Sequence, residues 1–307
     1  MLTRSLKDRL ASRLMFLVTF SSSLIVFLIA LALYARARPI LTAKPLGELI
    51  FSSSWHPLKG EFGFYPFILG TLWVTALAMI ISIPLSLLTA IYLAEYASAR
   101  VRGVVKPLID LLAGIPSVVY GLWGVLAVVP LIRDYVAPLM GRSLGFIPLF
   151  SAENLTGYSV LAGSIVLALM VFPIIISVAE EVFRSVPDGL REASLALGAT
   201  RWQMVKHVVI RKALPGVVAA IVLGFSRAFG ETMAVLMVVG NVAMIPSSIF
   251  DPAYPLTALI ANNYGEMMSI PLYDSALLGA GLFLLLMVLC FNIMARIILR
   301  RVLREEW

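Results

Sequence analysis

The chain has 307 residues, of which 61% are hydrophobic and only 13% charged, with a formal net charge of +7. Soluble domains carry about a quarter charged residues, and a globule of this length could not hide so much apolar surface from water, so the composition excludes a water-soluble domain and points to a bilayer. The excess positive charge falls in short clusters between long apolar runs, with no aromatic interleaving. That pattern excludes a nucleic-acid face and reads as a topology signal.

About six spanning helices are predicted, since each needs about 20 apolar residues to cross a core of ~30 Å. The first covers 14–36. Met1 to Arg13 is basic and could open a signal peptide, but the run from Leu14 to Ala35 is too long for one and lacks a small-x-small cleavage site. It reads as an uncleaved anchor. Residues 37–65 form an outer loop with Pro39, Pro45, Trp55, Pro57 and Gly60, a content that predicts short re-entrant or interfacial segments. The second and third helices are predicted at 66–95 and 107–132. Pro116 removes a backbone hydrogen bond from the third, so that helix must kink or unwind. Broken backbone at membrane depth is tolerated only within protein or along a wet cavity. Gly114, Gly121 and Gly124 read as close helix contacts in preference to solute contacts.

The fourth and fifth helices are predicted at 157–183 and 214–242. A loop at 243–272, rich in proline and free of lysine and arginine, leads to the sixth at 273–299. The chain thus divides into 1–65 (tail, first helix and outer loop), a transmembrane domain at 66–300 and a tail at 301–307. The fold class is an all-α membrane protein. Arg4, Lys7, Arg9 and Arg13, then Arg100, Arg102 and Lys106, then Arg184 to Lys212, then Arg296 to Arg304 all fall on one side of six spans. The other side holds only Arg36, Arg38, Lys44, Lys59, Arg133 and Arg142. Both termini are expected on the cytoplasmic side of the inner (plasma) membrane.

Most catalytic signatures are missing. No G-x-x-x-x-G-K-S/T segment could cradle ATP phosphates, and no nucleophile elbow is present. His56 and His207 fall on opposite sides, which leaves no metal site. The lone cysteine, Cys290, excludes a disulfide framework. Asn154-Leu155-Thr156 matches a glycosylation triplet that chance readily produces.

The longest connection on the basic side runs over 184–213. Pro187 and Gly189 break the preceding helix, and Asp188 can cap a new one. Leu190, Ala193 and Leu197 then share a face, and Gly198 ends the turn. The result is a short helix across the membrane surface. Its shallow face of small residues suits a protein groove better than lipid. Glu192-Ala193-Ser194, followed by Gly198, resembles the EAA loop of ABC-importer permeases. The usual Leu-Pro pair after that glycine stands here at Leu214-Pro215, four residues later than in the family pattern.

Further stretches sharpen the resemblance: Ala113 to Gly124 (A-G-I-P-S-V-V-Y-G-L-W-G), Pro66 to Leu72, Arg227 to Val235 (R-A-F-G-E-T-M-A-V), and Phe250-Asp251-Pro252-Ala253-Tyr254. From about Trp55 onward the chain resembles phosphate ABC-transporter permeases of the PstC type. The resemblance implies the type I ABC-importer permease fold, with Glu192, Ala193 and Gly198 in the coupling helix that meets an ATPase. It also implies a second permease of PstA type, a PstB-type ATPase dimer that binds ATP and Mg, and an external phosphate-binding protein of PstS type. The chain itself would bind no cofactor and carry no catalytic residue; its other neighbour would be membrane lipid.

Arg227 and Glu231 are the sharpest intramembrane signal. Counted from Leu214, Arg227 falls near mid-membrane, where a charge costs about 2.5–3.5 kcal/mol on insertion scales. Their spacing of four places them on one face of a helix. They read either as a self-neutralising pair or as part of a solute pathway, for which the arginine fork matches phosphate oxygens. In the resembling family this arginine and glutamate are associated with phosphate passage. Asp110, Glu95, Glu180 and Glu181, near helix ends, are expected to meet water or nearby basic residues. Two other functions stand beside phosphate import: a permease for another oxyanion such as molybdate or sulfate, and an intramembrane enzyme using Glu231 or Asp110.

Overall fold

A computed structural model describes residues 2–152, 156–266 and 269–304. Asn154 and Leu155 of the glycosylation triplet and the last three residues of the 301–307 tail lie outside them. Among the described residues, six helices are long and apolar enough to cross a membrane. The only strands there form one two-residue hairpin.

Helix α1 (Leu2–Ala43) is exposed over most of its apolar length and runs along the last span, with Leu33 against Gly281 and with Ala37 and Ile40 buried near its end. A short helix α2 (Leu46–Phe51) and a hairpin of β1 (Trp55–His56) and β2 (Glu61–Phe62) follow. The Trp55 ring sits 5.6 Å from that of Phe62 and 5.0 Å from that of Phe67, so the segment before α3 packs as an aromatic cap.

Helix α3 (Tyr65–Ile91) ends in a π turn, Tyr92–Tyr96. Ala78, Ser82, Ser86 and Ala90 recur every four residues along it and are all fully buried. This small-residue stripe admits the central helix α6 (Val160–Arg184), which carries 67% of its most apolar window inside the protein. The Ser164 hydroxyl of α6 donates to Val74 O of α3 at 3.0 Å, fixing the register of two helices that run in the same direction.

Two helices depart from their expected limits. The third span is α5, Ser117–Leu144, and residues 99–113 form a separate amphipathic helix α4 (Ala99–Ala113). Its charges, Arg100, Arg102, Lys106 and Asp110, keep it out of a span. The fifth span starts early, with α8 at Arg201–Phe229, and stops early at Gly230. The 184–213 connection is therefore only the short helix α7 (Asp188–Ala196) and the turns flanking it. Beyond Gly230 lie α9 (Met233–Val238), a loop, α10 (Leu256–Asn263) and the last span, α11 (Tyr273–Arg304). Arg102, Lys106, Arg184, Arg191 and Arg201 gather at one end of the bundle, which we term the basic end.

Candidate functional site

The first candidate region is a broken helix. Helix α8 ends at Phe229, Gly230 adopts φ −93° and ψ −2°, and Thr232 lies at φ −115° and ψ −60° before α9 begins. The four-residue spacing of Arg227 and Glu231 therefore never acts within one helix. Glu231 turns towards the start of α9, where its Oε1 accepts from the Ala234 backbone N–H at 3.4 Å. Its carbonyl accepts from the Thr257 hydroxyl at 3.1 Å. With Thr71, Thr75 and Thr257 it borders a void of about 10 Å³, close to the space of one water.

Arg227 points elsewhere. It is exposed on the surface of the chain, and its guanidinium has no hydrogen bond or ion pair to any described residue. Packing sets its depth. Gly216 of α8 abuts Val182, and Gly224 fits between Ile175 and Val171, so closely that a Cβ there would come within 2.6 Å of Ile175. Arg227, three residues on, stands opposite the middle third of α6. The self-neutralising pair, one of the two readings of these residues, is absent among the described residues because the helix stops between its two members.

Pro116 marks a second break. It is extended, with φ −59° and ψ 141°, and sits at the corner between α4 and α5 instead of kinking one span. Ile115 and Leu112 beside it line an apolar cavity of about 350 Å³ with Leu169 and Phe172 of α6, again near the middle of that helix. The glycines that follow serve packing: a Cβ on Gly121 would lie 2.6 Å from Met237 Sδ, and one on Gly124 would lie 2.7 Å from Val166.

The second region is α7. Pro187 is its N-cap, so Asp188, expected as the cap, is its first residue and pairs with Arg191 at 3.1 Å. Glu192 and Ala193 are exposed, Leu190 is 40% exposed and Leu197 90%; no residue of α7 is buried. Gly198 has φ +84°, the left-handed conformation that favours glycine. Its N–H donates to Leu195 O at 3.0 Å, and that of Ala199 to Ser194 O at 3.3 Å. The two bonds together form a Schellman motif. Thr200 then opens α8 with a capping box: its hydroxyl accepts from Gln203 N at 3.3 Å, and Gln203 Oε1 accepts from Thr200 N at 2.8 Å. The T-x-x-Q run Thr200 to Gln203 carried this signal in the sequence, hidden beneath the polarity of 201–212.

Glu95 and Glu180, expected to meet water or basic residues, are buried and meet basic residues. Glu180 faces Lys106 at 2.9 Å, Arg184 at 3.4 Å and Arg102 at 4.0 Å. Glu95, in the π turn that ends α3, faces Arg191 of α7 at 2.8 Å. Its carboxylate raises the Arg191 guanidinium above the usual arginine range, and burial opposes that shift only in part.

Residues 83–304 match the family described as binding-protein-dependent transport system inner membrane component. The phosphate transport system permease protein PstC of Xylella fastidiosa (strain 9a5c) is 38% identical over 263 residues, covering 84% of this chain and 80% of that protein. The probable ABC transporter permease protein YqgH of Bacillus subtilis (strain 168) is 40% identical over 251 residues, covering 81% and 76%. Among solved structures, a chain of the MetNI methionine ABC transporter in an inward-facing conformation superposes with a TM-score of 0.55 at 22% identity, over 76% of this chain and 93% of that one. A bacterial importer of alginate gives 0.53 at 18% identity, over 78% and 79%. These two are likenesses of fold. Six spans, a short exposed helix at the basic end and these relatives agree: the chain belongs to the binding-protein-dependent transport system inner membrane components, as a PstC-type permease subunit of an ABC importer with the type I fold.

Proposed function

We propose that this permease forms, with a second permease of PstA type, an alternating-access path for inorganic phosphate. Energy comes from ATP and Mg on a PstB-type ATPase dimer that docks on α7, and a PstS-type phosphate-binding protein delivers solute from outside. Both termini and α7 face the cytoplasm in this reading, and the chain binds no cofactor of its own. The observation that carries it is Arg227, an exposed guanidinium without a partner among the described residues, at the broken end of α8 and opposite the middle of α6. A charge at that depth is costly against lipid, so the surface it sits on belongs against a second protein with a wet cavity between. A planar fork with no partner among the described residues is well suited to a passing oxyanion. Broken helices at Pro116 and Gly230 fit the rule that irregular backbone at membrane depth lines protein or water.

The test is uptake into proteoliposomes holding all candidate subunits and the external binding protein. Phosphate should accumulate with ATP and fail to do so when this chain is omitted. Accumulation of molybdate or sulfate in place of phosphate would assign another oxyanion.

A further inference from the structure

Helix α7 buries none of its own residues, so apolar packing does not hold it to the bundle. Among the described residues, its side-chain bonds to the bundle come from one guanidinium. Arg191 Nη2 donates to Glu95 Oε1 at 2.8 Å and to Phe183 O at 2.8 Å. Its Nε lies 3.3 Å from both Glu95 carboxylate oxygens, and Nη1 donates to Val186 O and to Asp188 Oδ1. The fork is saturated, and its planar geometry leaves little slack. Glu95 is also gripped from beyond the Gly198 turn. Arg201, the first residue of α8, donates to Glu95 O and lies 4.9 Å from the centre of the Tyr96 ring. Arg102 of α4 donates to Leu93 O at 3.0 Å, two residues back in the same turn. The π turn at Tyr92–Tyr96 thus receives arginines from α4, α7 and α8, and its single buried carboxylate serves α7.

We propose that Glu95 is a positioning residue for energy coupling: displacement of α7 reaches α3 through the Glu95–Arg191 joint, with Arg201 clamping the same turn from the start of α8. The proposal rests on the reading of α7 as the ATPase contact. Spans α3, α6 and α8 then move as one body when α7 is pushed. A joint cut at Glu95 lets α7 follow the ATPase while α3 lags, so hydrolysis continues and transport does not.

The experiment uses the complete importer in proteoliposomes and measures phosphate accumulated per ATP hydrolysed. In Glu95→Gln that ratio should fall roughly tenfold, within the usual range of coupling between distant sites, with the ATPase bound at normal stoichiometry. Glu95→Asp, which keeps the charge, should recover part of the ratio. An assembled Glu95→Gln importer with an unchanged ratio, including one in which hydrolysis and uptake fall together, overturns the proposal. If Glu95→Gln does not assemble, Arg201→Gln decides, because it removes the second grip and leaves the buried carboxylate paired; an unchanged ratio there overturns the proposal equally. The underlying reading has its own readout. Cysteine crosslinking from Leu197→Cys to the ATPase should succeed in the otherwise unaltered chain. Its failure would sink the docking of α7 itself, a result distinct from crosslinking with an intact ratio.

Discussion

Arg227 is the last-turn residue of a span and the one whose chemistry is least explained by packing. Its depth was legible in the sequence, because a charged residue inside an apolar run has few reasons to be there. Its freedom was not. The four-residue spacing to Glu231 implied a shared face, and only the stop at Gly230 separates the two side chains. Since they do not pair, each can be altered alone. Arg227→Lys keeps the charge and loses the planar fork, so phosphate uptake should drop on the order of tenfold or more with insertion and assembly preserved, as a bidentate site predicts. Uptake at the normal rate in an assembled Arg227→Lys importer would remove Arg227 from the pathway. Glu231 calls for a different contrast. Its carboxylate oxygen caps α9, so Glu231→Gln, which retains an acceptor, should assemble normally. Glu231→Ala should cost about 1 kcal/mol, the usual value of a lost cap, seen as a lower unfolding temperature of the purified chain.

At the scale of elements, apolar periodicity located the spans but not their ends. Residues 201–212 carry Arg201, Lys206, Arg211 and Lys212, and that polarity concealed the first three turns of α8. The Thr200–Gln203 capping box marks their start in the structure. The third span was misplaced for the opposite reason: α4 is apolar on one side only, and an apolar run interrupted by Asp110 and Pro116 was merged with it. The turn at Gly198 was legible, since a glycine after a short amphipathic helix is a standard stop. Nothing lies within 4 Å of a Cβ added there, so the demand for glycine comes from φ +84° alone. Gly198→Val should therefore cost at least about 1–2 kcal/mol locally through the left-handed backbone. It should distort the α7–α8 turn while the permease still inserts, and binding-protein-stimulated ATP hydrolysis should fall. Full stimulation in that variant would count against docking at α7. Gly224 makes the reverse case. There a side chain meets Ile175 and Val171, so Gly224→Leu should overpack the α6–α8 contact by about 1–3 kcal/mol and lower the yield of assembled importer without any change in the coupling turn.

The whole molecule carries its sidedness in its charges. Arg100, Arg102 and Lys106, and then Arg184, Arg191 and Arg201, meet at one end, where Glu95 and Glu180 are buried among them. The far end carries the hairpin and the turn after α5, where Leu58 is 87% and Phe146 80% exposed. Loops retained in the cytoplasm are enriched in lysine and arginine, so the basic end should face inward and the hairpin outward. The three most accessible apolar positions in these loops provide the probes. With the exposed Cys290 first changed to alanine, Leu58→Cys and Phe146→Cys should react with a membrane-impermeant maleimide in intact cells. Leu197→Cys, 90% exposed at the C-cap of α7, should react only after the membrane is permeabilised. If Leu197→Cys is labelled from outside in sealed cells, the chain is inverted, α7 cannot meet a cytoplasmic ATPase, and the coupling reading falls with the topology. If the labelling divides as expected, the arginines around Glu95 lie on the side where ATP is hydrolysed, and Arg227 lies between them and the outer face from which solute arrives.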